Sequence, residues 1–157
     1  MDPQSVRVTP VDIVNGCAVA IRGEVFQRIG LIDDRFFLIC EESDFCLRAQ
    51  ESGFRIGVVH RSLVWHKHSV SFAKAGKPIQ RYYGTRNLWL LMKKHPRGEN
   101  RKGPIVSRMV YFRRCFHLFS HERELGNMPG AHAICDGMAD ALLGRFGQWT
   151  ENRSWLG

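Results

Sequence analysis

The sequence contains neither GxGxxG nor GxxxxGK[ST], so it has no glycine-rich loop of the kind that seats a nucleotide phosphate on a helix start. Its five cysteines, Cys17, Cys40, Cys46, Cys115 and Cys135, include no CxxC pair. An odd number of mostly apolar-flanked thiols points to a reducing compartment and argues against a disulfide framework or a Cys/His zinc site. No apolar run approaches the roughly 20 residues that span a bilayer. The opening "MDPQSVRVTP" has no apolar core of the secretory kind. The protein is therefore expected to be cytoplasmic, with any membrane contact peripheral. Internal repeats and low-complexity tracts are also lacking.

Acidic residues are scarce in one region. The chain of 157 residues carries a formal charge of +8, with 44% hydrophobic and 24% charged residues. That composition suits one globular domain with a real core. The charge is uneven: between positions 74 and 123, thirteen Lys and Arg face only Glu99 and Glu122. Aromatics such as Tyr82, Tyr83, Trp89, Tyr111 and Phe112 are interleaved. The excess implies an anionic partner, either a phospholipid surface, nucleic acid or a phosphorylated substrate. Nucleic acid is the weakest of these, because no groove-reading motif accompanies the charge.

Periodicity gives a coarse order of elements. "VDIVNGCAVAIR" (11–22) has strand composition. "GEVFQRIG" (23–30) reads as a short helix with the stripe Val25, Phe26 and Ile29 and a terminating Gly30. A helix over about 42–52 buries Phe45, Cys46 and Ala49 and ends at Gly53. "FRIGVVH" (54–60) and "SLVWHKH" (62–68) are short strand candidates. Three longer helices follow, at about 79–95, 104–122 and 130–145, punctuated by Pro96, Gly103-Pro104 and Pro129-Gly130.

The chemistry-bearing residues cluster in the front half. In "FFLICEESDFCLRAQESGFRIG" an aromatic run meets Glu41, Glu42 and Asp44 where a helix begins. Acids there suit the helix dipole, at about 0.3–1 kcal/mol each. From spacing alone that reading leads; the other is that one of them serves as a general base, kept ionised beside backbone N–H groups. Successive positions diverge by about 100° around a helix, so the three carboxylates cannot all face one site. His60, His66 and His68 could supply imidazole to a divalent metal or be ordinary surface histidines.

An ordered set of short motifs resembles bacterial family-two glycosyltransferases, with the rhamnosyltransferase-like members nearest. Gly16, Arg22, Phe26, Gly30, Asp33 and Phe36-Phe37 lead into the acidic "EESDFCLR", followed by "GFRI" and "VWH". The likeness covers about residues 11–72 and continues more weakly through "YYGTRNLWLLMKKH" and "AICDGMADALLGRFG". It implies an α/β fold: the C-terminal half of a Rossmann-like GT-A domain with a short mixed sheet, then C-terminal helices. The parts would be an acceptor-side, catalytic-base region over 1–75 and a basic helical region over 76–157.

The resemblance also implies roles. Glu42 corresponds to the base that deprotonates the acceptor hydroxyl, with Glu41 and Asp44 in support. Gly16, Cys17, Arg48 and Trp65 fall in substrate-binding positions, and Arg48 can pair with Asp44 one turn away. His66 corresponds to a ligand of a divalent metal, Mg²⁺ or Mn²⁺, on the donor diphosphate. The reaction implied is inverting hexosyl transfer from a nucleotide sugar to a glycan or lipid-linked hydroxyl, at the inner face of the cytoplasmic membrane. The family's metal-binding D-x-D is absent from these residues. The chain is thus expected to be a C-terminal portion without a complete donor site, and inactive when isolated. The alternative is a non-catalytic remnant that binds membrane or nucleic acid through its basic helices.

Overall fold

The computed structural model describes residues 7–60, 62–65, 77–96 and 104–149. Among them are two strands, β1 (Val8–Pro10) and β2 (Gly57–Val59). There are five helices: α1 (Gly23–Ile29), α2 (Glu41–Glu51), α3 (Lys77–Lys94), α4 (Pro104–Glu124) and α5 (Met128–Leu143). The chain divides into two compact units, Met1–Asp33 with Glu41–His68, and Asp34–Cys40 with Ser69–Gly157. The expected boundary near residue 75 falls outside the described residues.

In the first unit β1 and β2 pair antiparallel, with Val8 opposite Val59 and Pro10 opposite Gly57. Hydrogen bonds from Val11 N–H to Ile56 O and from His60 N–H to Arg7 O extend the ladder at both ends. Gly57 sits close against β1: a Cβ there would lie 2.6 Å from Val8 Cγ1 and 3.2 Å from Thr9 O. This sheet is purely antiparallel, which corrects the expected mixed sheet. Segment 11–22 is irregular, not a strand. Its β-branched composition finds no ladder to join among the described residues, and β-propensity without a pairing strand does not make one. Likewise 62–65 is irregular, and 66–68 lies outside the described residues.

Helices α1 and α2 pack through Val25, Phe45 and Ala49, ringed by Ile21, Phe26, Ile29 and Phe54. The Phe26 and Phe45 rings are tilted at 5.3 Å. Gly30 (φ 79°) and Gly53 (φ 86°) end the two helices in a backbone region that side chains resist, as their positions in sequence suggest.

In the second unit, α3 and α5 approach through small residues. Gly137 is one close approach, where a Cβ would sit 2.6 Å from Tyr82 O. Tyr82 Oη donates to Asp140 Oδ2 at 2.6 Å. Burial, reinforced by that bond, pushes the phenol up to about 12. Helix α4 packs on the other two through Tyr111, Cys115 and Ile134, with Trp89 5.0 Å from Tyr111. Glu122 is buried and takes Arg81 Nε at 2.6 Å. Asn127 caps α5, its side chain accepting from Gly130 N–H at 3.2 Å.

Segment 34–40 belongs to this helical unit. Phe37, Ile39 and Cys40 all have left-handed φ values, 58°, 68° and 74°, without being glycine. Such residues cost roughly 1–2 kcal/mol each unless neighbours hold them. The holders are Arg86 and Asn87 of α3, both buried. Arg86 donates to the carbonyls of Gly147 (2.6 Å), Arg35 (3.2 Å) and Phe36 (3.1 Å). Asn87 Nδ2 donates to those of Phe36 (2.8 Å), Leu38 (2.6 Å) and Ile39 (2.8 Å). The buried guanidinium also lies over the rings of Tyr82, Tyr83 and Phe146. Carbonyl dipoles and ring faces thus take the place of water around the charge.

This burial revises the reading of the basic region. Arg86, Tyr82, Tyr83 and Tyr111 are interior residues of the helical unit, and Arg81 is an internal ion pair. The cations on the exposed surface of α4 are Arg108, Arg113, Arg114 and Arg123.

Candidate active site

The acids expected from sequence occupy the first turn of α2. They do not share one fate. Asp44 points inward, fully buried, and accepts from Arg48 Nε at 2.9 Å. The same guanidinium donates to Ile29 O at 2.6 Å and Leu31 O at 2.9 Å, past the end of α1. All three donor nitrogens of Arg48 are therefore engaged. The expected Asp44–Arg48 pair exists, and it ties α2 to the segment after α1. Its ring-face contact with Phe45, 5.2 Å from the centroid, belongs to the same packing.

Glu41 and Glu42 differ from Asp44. Each has one carboxylate oxygen, Oε2, that is buried and meets no hydrogen-bond donor among the described residues. Leaving such an oxygen unpaired costs about 1–3 kcal/mol, and more when it is charged. Native proteins tolerate this where the group has a task. Burial raises the Glu41 carboxyl above its ordinary value. A backbone hydrogen bond pulls it back, and the Glu42 charge and a carboxyl–carboxyl hydrogen bond raise it further. Burial beside a second carboxyl thus makes Glu41 hold its proton more tightly than an ordinary glutamate does.

Gly16 lies beside this pair. A Cβ at Gly16 would stand 3.8 Å from both Cβ and Cδ of Glu42, within ordinary contact distance. The missing side chain leaves space next to the carboxylate. Cys17 follows on the exposed side of the same turn. The structure thus brings Gly16 and Glu42 together, sets Cys17 one residue from that contact, and commits Asp44 and Arg48 to each other. Trp65 is 96% exposed, an indole with its face in solvent. His66 lies outside the described residues. Among the described residues no three His, Cys, Asp or Glu side chains converge on one point. They do not by themselves form a metal site.

Sequence reasoning missed Arg86 and Asn87. The chain runs directly from the segment they hold, ending at Cys40, into Glu41. A signal was present: "RN" is a charged and amide pair inside the otherwise aromatic and apolar "YYGTRNLWLL". Polar residues at interior helix positions ask for buried partners.

Comparison with known proteins adds family to this geometry. The low-salt glycan biosynthesis hexosyltransferase of Haloferax volcanii is 32% identical over 81 residues, 52% of this chain. The match spans 26% of that relative, about a quarter of its length. No solved structure matches the chain. The sequence profile described as glycosyl transferase family group 2 matches residues 3–126, and on that match the chain belongs to this family.

Proposed function

We propose that this chain forms the acceptor-side, catalytic-base part of an inverting hexosyltransferase with a GT-A domain. The observation that carries the proposal is the Glu41–Glu42 pair. It has two buried oxygens without donors among the described residues, and a glycine leaves room beside Glu42. In the proposed reaction the Glu42 carboxylate takes the proton of an acceptor sugar hydroxyl. The hydroxyl oxygen bonds to the anomeric carbon of a nucleotide sugar from the face opposite the leaving group. The bond from that carbon to the diphosphate oxygen breaks, and its electron pair leaves with the nucleotide diphosphate. Configuration inverts in the single displacement. Burial makes Glu41, next to the proposed base, hold its proton more tightly than an ordinary carboxyl.

The acceptor is a glycan or lipid-linked glycan presented at the inner face of the cytoplasmic membrane. The proposal includes a divalent metal on the donor diphosphate, with His66 as one ligand. The membership in glycosyl transferase family group 2 and the hexosyltransferase relative support transfer of a sugar. The test is the anomeric configuration of the transferred sugar, read by NMR of the product. Inversion in wild type, with transfer by Glu42→Gln reduced at least about a hundredfold, is expected for loss of a general base. Retention of configuration, or full transfer by Glu42→Gln, would sink the proposal.

A further inference from the structure

Helix α4 has two unlike faces. Tyr111, Cys115 and Glu122 are buried on one side. On the other, Ile105, Met109, Phe112 and Phe116 are all exposed, Ile105 by 71%, Met109 by 66% and Phe116 by 72%. Their spacing of four, three and four residues sets them in one stripe along the helix. Val106 and Val110 widen it. A rise of 1.5 Å per residue makes the stripe about 16 Å long. A soluble helix does not ordinarily leave an apolar stripe of this length uncovered.

The charge around the stripe identifies what covers it. Arg108 and Arg114 fall on its two edges on a helical wheel, and Arg113 lies within it; all three are exposed. No acid occurs between Glu99 and Glu122. Glu122 is buried on the opposite face and bonded to Arg81. A second copy of this chain meeting the stripe face to face would set arginines against arginines with no carboxylate between. Nucleic acid would use the arginines but leave the aliphatic centre of the stripe in water. An anionic bilayer satisfies both parts: apolar side chains enter the acyl boundary while arginines reach headgroup phosphates.

We propose that α4 lies on an anionic phospholipid surface, with Ile105, Met109, Phe112 and Phe116 inserted and Arg108, Arg113 and Arg114 on the headgroups. This narrows the proposed membrane contact from the whole basic region to one helix face, and it needs no transfer reaction. No helix among the described residues is long and apolar enough to cross a membrane, so the contact is interfacial.

Flotation of the full chain with vesicles tests this. The vesicles would be phosphatidylcholine alone, or phosphatidylcholine mixed with phosphatidylglycerol. Three arginines at about fivefold each predict a preference for the anionic vesicles on the order of a hundredfold. The double variant Met109→Glu, Phe116→Glu should lose at least about tenfold of the anionic binding. Both sites are exposed, so circular dichroism should stay native. Leu63→Glu, an exposed apolar site in the other unit, should bind as wild type. Hydrogen exchange over 105–116 should slow when anionic vesicles are added. Equal binding to both vesicle types, or unchanged binding by the double variant, would overturn the proposal. So would single-stranded RNA that displaces the protein from vesicles, or a dimer in sedimentation that the double variant dissociates.

Discussion

Replacing Asn87 with alanine should loosen a segment some fifty residues away in sequence. The amide donates to three carbonyls, Phe36, Leu38 and Ile39, and accepts from Arg86 Nε at 2.9 Å. After Asn87→Ala the Phe36 carbonyl keeps Arg86 Nη2 at 3.1 Å. The Leu38 and Ile39 carbonyls lose the amide, and Arg86 Nε loses its acceptor. At about 1–3 kcal/mol for each of these three orphaned groups, the bonds alone give about 3–9 kcal/mol. The upper end will not be reached. Phe37, Ile39 and Cys40 are held in left-handed conformations, and their relaxation returns part of the loss. The expected destabilisation is about 2–4 kcal/mol, a large share of the ~5–15 kcal/mol typical of a domain. Urea denaturation reads the global change, and native-state hydrogen exchange at Phe37 to Cys40 should speed up well beyond it. A loss below about 0.5 kcal/mol with unchanged exchange would refute the claim that this amide holds the segment.

Two glycines on α3 and α5 should respond to alanine with opposite signs. Gly137→Ala places a Cβ 2.6 Å from the Tyr82 carbonyl, which cannot rotate away, so a loss of about 1–3 kcal/mol is expected in thermal melts. Gly84→Ala meets nothing within 4 Å and should gain about 0.5–1 kcal/mol from helix propensity. Glu41 ties stability to pH. Its carboxyl is raised above 4.5, so the folded state binds that proton more tightly than the unfolded chain does. Its contribution is full below pH 4.5 and is lost as pH rises through the raised value. Glu41→Gln should therefore match wild type at low pH and grow more stable than it across that window, in urea melts taken as a pH series. Gly16→Ala fits at 3.8 Å from Glu42 and should melt as wild type, yet depress transfer by filling the space beside the carboxylate. Wild-type transfer by that variant would show that acceptor does not pass there.

The helices were legible because their signals are local. Gly30 and Gly53 terminate α1 and α2, Val25, Phe26 and Ile29 meet Phe45 and Ala49 in one small core, and Cys46 is buried as expected. The three long helices begin and end near the prolines and glycines that punctuate them. Segment 11–22 was not legible. Strand composition states what a backbone tolerates, and pairing depends on residues distant in sequence. The division of labour among the acids was half legible. Helical geometry requires Glu41, Glu42 and Asp44 to diverge, and the i, i+4 spacing offers Asp44 to Arg48. Only the fold shows Arg48 spent on the Ile29 and Leu31 carbonyls. The charge pattern misled for a related reason. A count of Lys and Arg treats each as surface, whereas Arg86 sits in the interior among carbonyls and rings, and Arg81 is paired with Glu122. Removing those two leaves Lys93 of α3 and the arginines of α4 as the exposed cations among the described residues of that stretch.

Release of nucleotide diphosphate tests the proposed chemistry most directly. It would be assayed with a panel of nucleotide sugars and Mg²⁺ or Mn²⁺, on the chain alone and on the chain joined to a donor-binding half that carries D-x-D. Glu42→Gln and Glu42→Asp would be run in parallel. Release that depends on an acceptor, falls at least about a hundredfold in Glu42→Gln and partly returns in Glu42→Asp is the predicted result. Release untouched by Glu42→Gln, or none from either form of the wild-type chain, would contradict it and leave Glu41 and Glu42 as acids of a helix start.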